Sequence, residues 1–578
     1  MRWAAAGILG VALVLGSCTT TGEDSSAPSS ITLNAPEAVV QDDAVLRYGL
    51  STSPSDPWAH YRTSCDTSCA MVFGAVTDTL FATSVDGETV GLLVEEASAN
   101  NDNTVHTWRL REGITFSDGT EFDAAAAKVN IDACRHSALT GPGLAGINDV
   151  RAEGHVLTLT TLAPWGSLAV HFAETPCGHM FSGSWLRSLP DVPMRAEGAP
   201  FFDAAIAEIS PVGDPTQPVG LGAFVMTSFA PGNGNSTLLE RNAAYWRGPN
   251  GITGERLPRA DQIELVVIGD EATRRAGLEA GQFDLIHSRE PSEIEHIASL
   301  GPSVRSDAFT DVVHLAYNAF DSETNPLRWV SCRRAIDRSI DIVAVQEAFG
   351  QQSSNGPISW PAIMGSASQE NGEEITYPYT FDPIPGSQWA ERCVEDHGSN
   401  VTLRLLAAAG DERADVVASM IDGATNRGSV ESPRVEVEVV ETEVRELALA
   451  ALLGDFDIVL WEGFSGTHPD LHFPWWFSEA SAPIGSIATN VSRIEDPALD
   501  RALVDIRRAD DAERSRQSIG DADAAFRIGA WSSWLTRVEW VIGFGGGLDP
   551  DLARTTPEGI ELEPIINGAH SLAKLSEN

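Results

Sequence analysis

The sequence predicts an α/β fold with mixed sheets, divided among more than one domain. Three observations lead there. Short apolar strand patterns recur along the chain and are interleaved with helix-like stretches, the order that builds parallel or mixed sheets with crossover helices. The segment Thr107 to Cys134 contains a strand, a turn and a helix start in direct succession. A chain of 578 residues is long enough for a large core and is expected to divide into about two or three domains.

Taken in order, Ala44 to Leu50 carries a short strand pattern, followed by a loop, Ser51 to Tyr61, that holds Pro54, Asp56, Pro57 and Trp58. A helix is expected over Ala70 to Phe81 and a strand around Thr89 to Glu95. Val105 to Leu110 alternates as a half-buried strand does, with Trp108 and Leu110 on one face, and Asp118-Gly119 supplies a tight turn. Asp123 is a good N-cap, able to accept from the open amides of a first turn, and Ala124 to Ala127 are strong helix formers. Ile263 to Ile268 reads as a strand, Glu271 to Ala280 as a helix stopped by Gly281, and Phe283 to Ile286 as the start of another strand. Farther on, strands at Val401 to Leu406, Val435 to Val440 and Asp457 to Trp461 alternate with helices at Asp411 to Ala424 and Glu443 to Leu453. Helices at Asp496 to Ala509 and Ala512 to Ala530 precede a last strand, Trp540 to Gly545.

The N-terminus reads as an export signal. Arg2 is a one-charge n-region, Trp3 to Leu15 is an apolar run too short to span a bilayer, and Leu15-Gly16-Ser17-Cys18 resembles a bacterial lipobox. Residues 1–17 are therefore expected to be a lipoprotein signal peptide, with Cys18 carrying the lipid. Residues 18–43, rich in Ser, Thr, Pro, Asp and Glu, read as a disordered tether. Once Cys18 is lipidated, Cys65, Cys69, Cys134, Cys177, Cys332 and Cys393 remain, an even number in an oxidising compartment, where structural bridges are expected. The sequence by itself leaves their pairing open.

With 82 acidic against 38 basic residues, the formal net charge is −44. A chain so acidic repels nucleic acid and anionic lipid, so neither is an expected partner. Catalytic patterns are scarce. Gly463-Phe464-Ser465-Gly466-Thr467 fails the nucleophile-elbow pattern at its last position, and neither a zinc-protease nor a phosphate-loop motif occurs. His468 and His472 have the spacing of a helical metal pair, but Pro469 and Pro474 argue against a helix there, and no metal or cofactor is expected. The chain does not read as an enzyme.

The wording of several segments is more specific than their periodicity. Thr107 to Cys134, TWRLREGITFSDGTEFDAAAAKVNIDAC, resembles a block of the family 5 solute-binding proteins, which serve peptide and nickel ATP-binding-cassette importers. Gly220-Leu221-Gly222-Ala223-Phe224 with Leu238 to Gly248, Asp270 through Asp284, Val313 to Phe320 with Arg333 to Arg338, and Gly356-Pro357-Ile358 resemble further blocks of the same family in the same order.

The resemblance implies a class II periplasmic-binding-protein-like fold: two lobes with mixed sheets, an extra subdomain in the first lobe, and a hinge between them. Residues 44–310 would form lobe 1 with its inserted subdomain, 311–535 lobe 2, and 536–578 a return to lobe 1 and a C-terminal tail. On that division the cysteines pair sequentially, Cys65 with Cys69, Cys134 with Cys177 and Cys332 with Cys393, each pair within one lobe.

The segment Trp461-Glu462-Gly463-Phe464-Ser465-Gly466-Thr467-His468-Pro469-Asp470 resembles the family loop that lines the ligand cleft. In peptide-binding members an Asp of that loop pairs with the peptide's α-ammonium group, a charge-assisted bond strengthened by burial. Here that position is Phe464, whose ring cannot neutralise a buried ammonium. Glu462 is a candidate substitute, and Trp461 and Gly463 share the loop. Trp58, Tyr61, Asn318 and Trp360 are further ligand-binding candidates, as aromatic and polar groups near the proposed cleft.

The expectation is a monomeric, lipid-anchored receptor on the outer face of the cytoplasmic membrane, working with a permease and its ATPase subunits. Its ligand would be a peptide or peptide-like solute, with an oligosaccharide, a nickel chelate or an opine-like compound as alternatives on the same fold. A sensory binding protein and an anchored hydrolase are the readings from other classes.

Overall fold

The structure is a computed structural model that describes residues 45–53, 58–61, 67–83, 88–189, 217–230, 232–248, 251, 257–305, 311–349, 369–370, 373–374, 384–425, 435–464, 466, 468–509, 512–545 and 572–573. Residues 1–43, expected to be the signal peptide and the tether with Cys18, and Cys65, Gly356-Pro357-Ile358 and Trp360 lie outside these residues.

Two mixed sheets organise the described chain, as the alternation of strands and helices predicts. The first has seven strands, in the order Ser303–Arg305, Val541–Phe544, Leu285–Ser288, Val45–Leu50, Gln262–Val267, Ser236–Arg241, Phe224–Phe229. At its centre Val45–Leu50 runs parallel to Gln262–Val267, with Val45 opposite Gln262, and parallel to Leu285–Ser288 on its other side. Leu46, Tyr48 and Leu50 are buried and anchor this strand in the core. The second sheet has five strands, in the order Val435–Thr442, Val401–Ala408, Ile458–Phe464, Asp311–Tyr317, Ser532–Val538. Chain order shows how the sheets are linked: Asp311–Tyr317 opens the second sheet, Ser532–Val538 closes it, and Val541–Phe544 returns to the first.

A four-stranded antiparallel sheet, Val94–Ala99, Val105–Leu110, Val156–Thr161 and Ile147–Glu153, is inserted between the first two central strands of the seven-stranded sheet. Its local chemistry follows the sequence closely. Gly119 takes the left-handed conformation at φ +81°, and the Asp118 side chain accepts from the Thr120 amide at 2.9 Å, which makes the turn. Asp123 caps the helix Ala124–Arg135 by accepting from the Ala126 amide at 2.8 Å.

The first helix departs from expectation, running from Thr67 to Val76 rather than to Phe81. The Thr77 hydroxyl donates to the Phe73 carbonyl at 2.7 Å at the helix end, and Phe81–Thr83 is already a strand. Gly220 and Gly222 lie against that same helix end. A Cβ on Gly220 would stand 2.0 Å from the Val76 carbonyl oxygen, and one on Gly222 2.4 Å from that of Ala75, so close backbone approach requires glycine at both.

Two disulfides are present among the described residues, Cys134–Cys177 and Cys332–Cys393, with Cα separations of 5.9 and 4.5 Å. Cys69 is also disulfide-bonded. The C-terminal helices Pro497–Arg508 and Ala512–Gly529 cover one face of the second sheet, packing Leu503, Ile506, Ile519 and Phe526 with Trp476 and Trp534. Among the described residues no helix is long and apolar enough to cross a membrane.

Candidate ligand-binding site

Trp461, Glu462 and Gly463 lie near the end of strand Ile458–Phe464, opposite His314, Val313 and Val312 respectively. Successive side chains of a strand point to opposite faces, so Trp461 and Glu462 diverge. The Trp461 indole is half-buried and packs on the face that holds Ala316, Leu406 and Val459. Gly463 leaves room for it, since a Cβ there would stand 3.0 Å from the indole Nε1. Phe464 ends the strand, in register with Asp311.

Glu462 points the other way and carries the bridge between the sheets. Its carboxylate pairs with Arg289, which directly follows strand Leu285–Ser288 of the first sheet. Its second oxygen lies 3.3 Å from Arg413, the first residue of helix Arg413–Thr425 in the second lobe. Arg413 is itself held by Asp411 at 2.7 and 2.8 Å, and the Arg289 guanidinium lies 5.6 Å from the Trp540 ring. Glu462 thus already faces two guanidinium groups. A ligand ammonium would have to displace them to use this carboxylate.

The other sequence candidates take different positions. Trp58 is fully buried in the first-lobe core, 5.0 Å from the Phe229 ring and 6.4 Å from Phe73, and Tyr61 is buried beside His60. Asn318 is buried, and its amide is spent on the chain: Nδ2 donates to the Gly454 and Phe456 carbonyls at 2.9 and 3.0 Å, and Oδ1 accepts from the Phe320 amide. The structure therefore groups Trp461, Glu462 and Gly463 and separates Trp58, Tyr61 and Asn318 from them.

The far end of the same loop makes a second bridge, which sequence reasoning missed. Asp470 is fully buried and accepts from Trp165 Nε1 and Ser167 Oγ at 2.6 Å each, both from the segment after strand Val156–Thr161. His171 Nε2 lies 3.2 Å from that same oxygen, and the other oxygen accepts from Arg507 Nε at 2.5 Å. Burial alone would raise the Asp470 carboxyl, but the charges of Arg507 and His171 and the donated hydrogen bonds hold it well below the usual carboxylate range. In the sequence Asp470 stands out only as the last residue of the segment that resembles the cleft loop.

His468 precedes and His472 ends a tight 3₁₀ turn, Pro469–His472, that leads into one helical turn, Phe473–Trp476. Both prolines are accepted because each sits in a first turn, where a missing N–H costs nothing. The rings are engaged separately: His468 Nδ1 accepts from the Asp470 amide and His472 Nδ1 from Trp476 Nε1. Among the described residues no group of three or more His, Cys, Asp or Glu side chains is arranged to hold a metal ion.

This pairing of two mixed sheets, bridged where a second-sheet strand ends, is the fold of the periplasmic binding proteins. The chain superposes on the binding protein AgaA in complex with agropinic acid from A. tumefaciens R10 with a TM-score of 0.69 at 18% identity, over 93% of this chain and 99% of that one. It superposes on the periplasmic binding protein DppA of Helicobacter pylori in complex with the peptide STSA with a TM-score of 0.69 at 15% identity, over 93% and 98%. The chain belongs to the bacterial extracellular solute-binding proteins, family 5, whose middle-region model matches residues 88–483. A probable peptide ABC transporter periplasmic-binding protein of Sinorhizobium fredii is 23% identical over 60% of this chain and 61% of its own length. The glutathione-binding protein of Escherichia coli (strain K12) is 26% identical over 63% and 64%. The match thus spans less than two thirds of these curated relatives.

Proposed function

We propose that this chain is the extracytoplasmic receptor of an ATP-binding-cassette importer, anchored by lipid on Cys18, that captures a peptide-like solute between its two sheets and hands it to a membrane permease. No bond is made or broken. The observation that carries this reading is the Glu462–Arg289 bridge, which draws the second-sheet strand end to the first sheet where a ligand touching both would favour closure.

The same observation narrows the ligand. With Phe464 at the ammonium-pairing position and Glu462 facing Arg289 and Arg413, the site has little to offer a free α-ammonium. A peptide-like solute with a blocked, acylated or conjugated amine fits better, and so does an opine-like acid. The test is native mass spectrometry of gently purified protein, alone and with mixed free and N-acetylated peptides. Capture of an amine-blocked or anionic solute supports the reading. Capture of free-amine peptides alone removes the ligand argument, and turnover of any solute removes the receptor argument.

A further inference from the structure

A cavity of about 180 Å³ lies between the inserted four-stranded sheet and the C-terminal helices, away from Trp461 and Glu462. Gly146, Leu162 and Trp165 wall one side, and Phe473, Phe477 and Val504 the other. A dry cavity of about 150 Å³ is large enough to take benzene, so this one has room for a single ring or a branched aliphatic body.

Its polar feature is Arg507, whose guanidinium is sandwiched between the Trp165 and Phe473 rings at 4.0 and 3.4 Å. Arg507 is only 7% exposed. Nε donates to Asp470 and Nη2 to the Gly143 carbonyl at 3.0 Å, but Nη1 has no hydrogen-bond partner among the described residues. Nη1 lies beside the cavity wall, 3.8 Å from where a Cβ on Gly146 would stand. Nη1 is thus an open donor at the cavity wall, able to give a charge-assisted hydrogen bond to an acceptor on a ligand. Arg508 and Glu479 also line the cavity.

We propose that this cavity is a second ligand site, for a small carboxylate with an aromatic or branched aliphatic body, its ring between the two apolar walls and its carboxylate on Arg507 Nη1. Because the walls come from the inserted sheet on one side and the second lobe on the other, its occupant contacts both parts of the protein at once. It does not depend on the solute proposed for the main site.

The test is fluorine NMR of para-fluorophenylacetate with the full chain, and with para-fluorophenylacetamide as the neutral comparator. The acid is expected to broaden and exchange more tightly than the amide, and Val504→Trp, which fills the cavity, should abolish the effect. Leu162→Asp, at an exposed rim position, and Arg508→Gln should each weaken the acid by about two- to fivefold, the effect of one exposed charge. These two surface variants decide the matter if Val504→Trp does not fold. Equal binding of acid and amide would overturn the assignment of a carboxylate. Broadening unchanged in all three variants, or none in the wild type, would overturn the site.

Discussion

Replacing Asp470 with Asn keeps the shape of the side chain but removes the counter-charge of Arg507, and its cost can be worked out in advance. Asp470 is fully buried, Arg507 is nearly so, and they touch at 2.5 Å. Breaking a buried pair by removing one partner costs about 3–5 kcal/mol, because a buried charge is left uncompensated. An unfolding entropy of about 2.1 cal/mol/K per residue over the roughly 400 described residues gives about 0.8 kcal/mol/K, so Tm should fall by about 4–6 °C. Asp470→Asn should also release the inserted sheet, since Trp165 and Ser167 lose a charged acceptor. Arg507→Leu alone should be destabilising as well. The double variant should be at least about 2 kcal/mol more stable than the sum of the two, since it buries no lone charge. Calorimetric melting of the four proteins closes the cycle. A shift under about 1 °C for Asp470→Asn, or strict additivity, would refute the claim that this carboxylate holds the two parts together.

Trp461→Ala is expected to weaken solute binding in a calorimetric titration while leaving Tm near wild type. Gly463→Ala should do so to a smaller extent by displacing the indole, and unchanged affinity in both would remove Trp461 from the site. Cys134→Ser with Cys177→Ser, or Cys332→Ser with Cys393→Ser, opens a loop of 43 or 61 residues, which should cost up to about 4 kcal/mol in a denaturant titration; a loss below about 1 kcal/mol would contradict it. His60, His179 and His314 are pushed down by burial to about 4, about 3 and about 3 from an ordinary 6.5. Since their folded values are depressed, the unfolded chain takes up protons first. Their stabilisation is fully present above about pH 6.5 and declines below it, by up to about 1.4 kcal/mol per pH unit for each ring. Tm measured from pH 7 to pH 5 should therefore fall, and a flat profile would contradict the burial of these rings as neutral groups.

Local chemistry made the fold legible where a residue's role is decided by its neighbours in sequence. Asp123 caps its helix, Gly119 turns its loop and Gly281, at φ +66°, follows its helix as expected. Boundaries slipped where a tertiary contact intervened, as at Val76, where the helix stops beside Gly220 and Gly222. The site was legible as a segment but not as a set of contacts. Nothing in the wording around Glu462 announces Arg289, which is 173 residues away, and Trp165 meets Asp470 across 305 residues. Trp58 and Asn318 show the converse: aromatic and amide groups near a proposed cleft were taken up by packing and by a chain reversal. Side-chain type suggests ligand contact equally in both cases, and only burial separates them.

A solute held where the Ile458–Phe464 strand end meets the first sheet at Arg289 touches both sheets at once. Hydrogen–deuterium exchange with and without the solute captured in native mass spectrometry tests it most directly. Joint protection of 458–464 and of 288–290, one segment from each sheet, is the expected result. Protection confined to a single sheet, or found elsewhere with both segments unchanged, would contradict it.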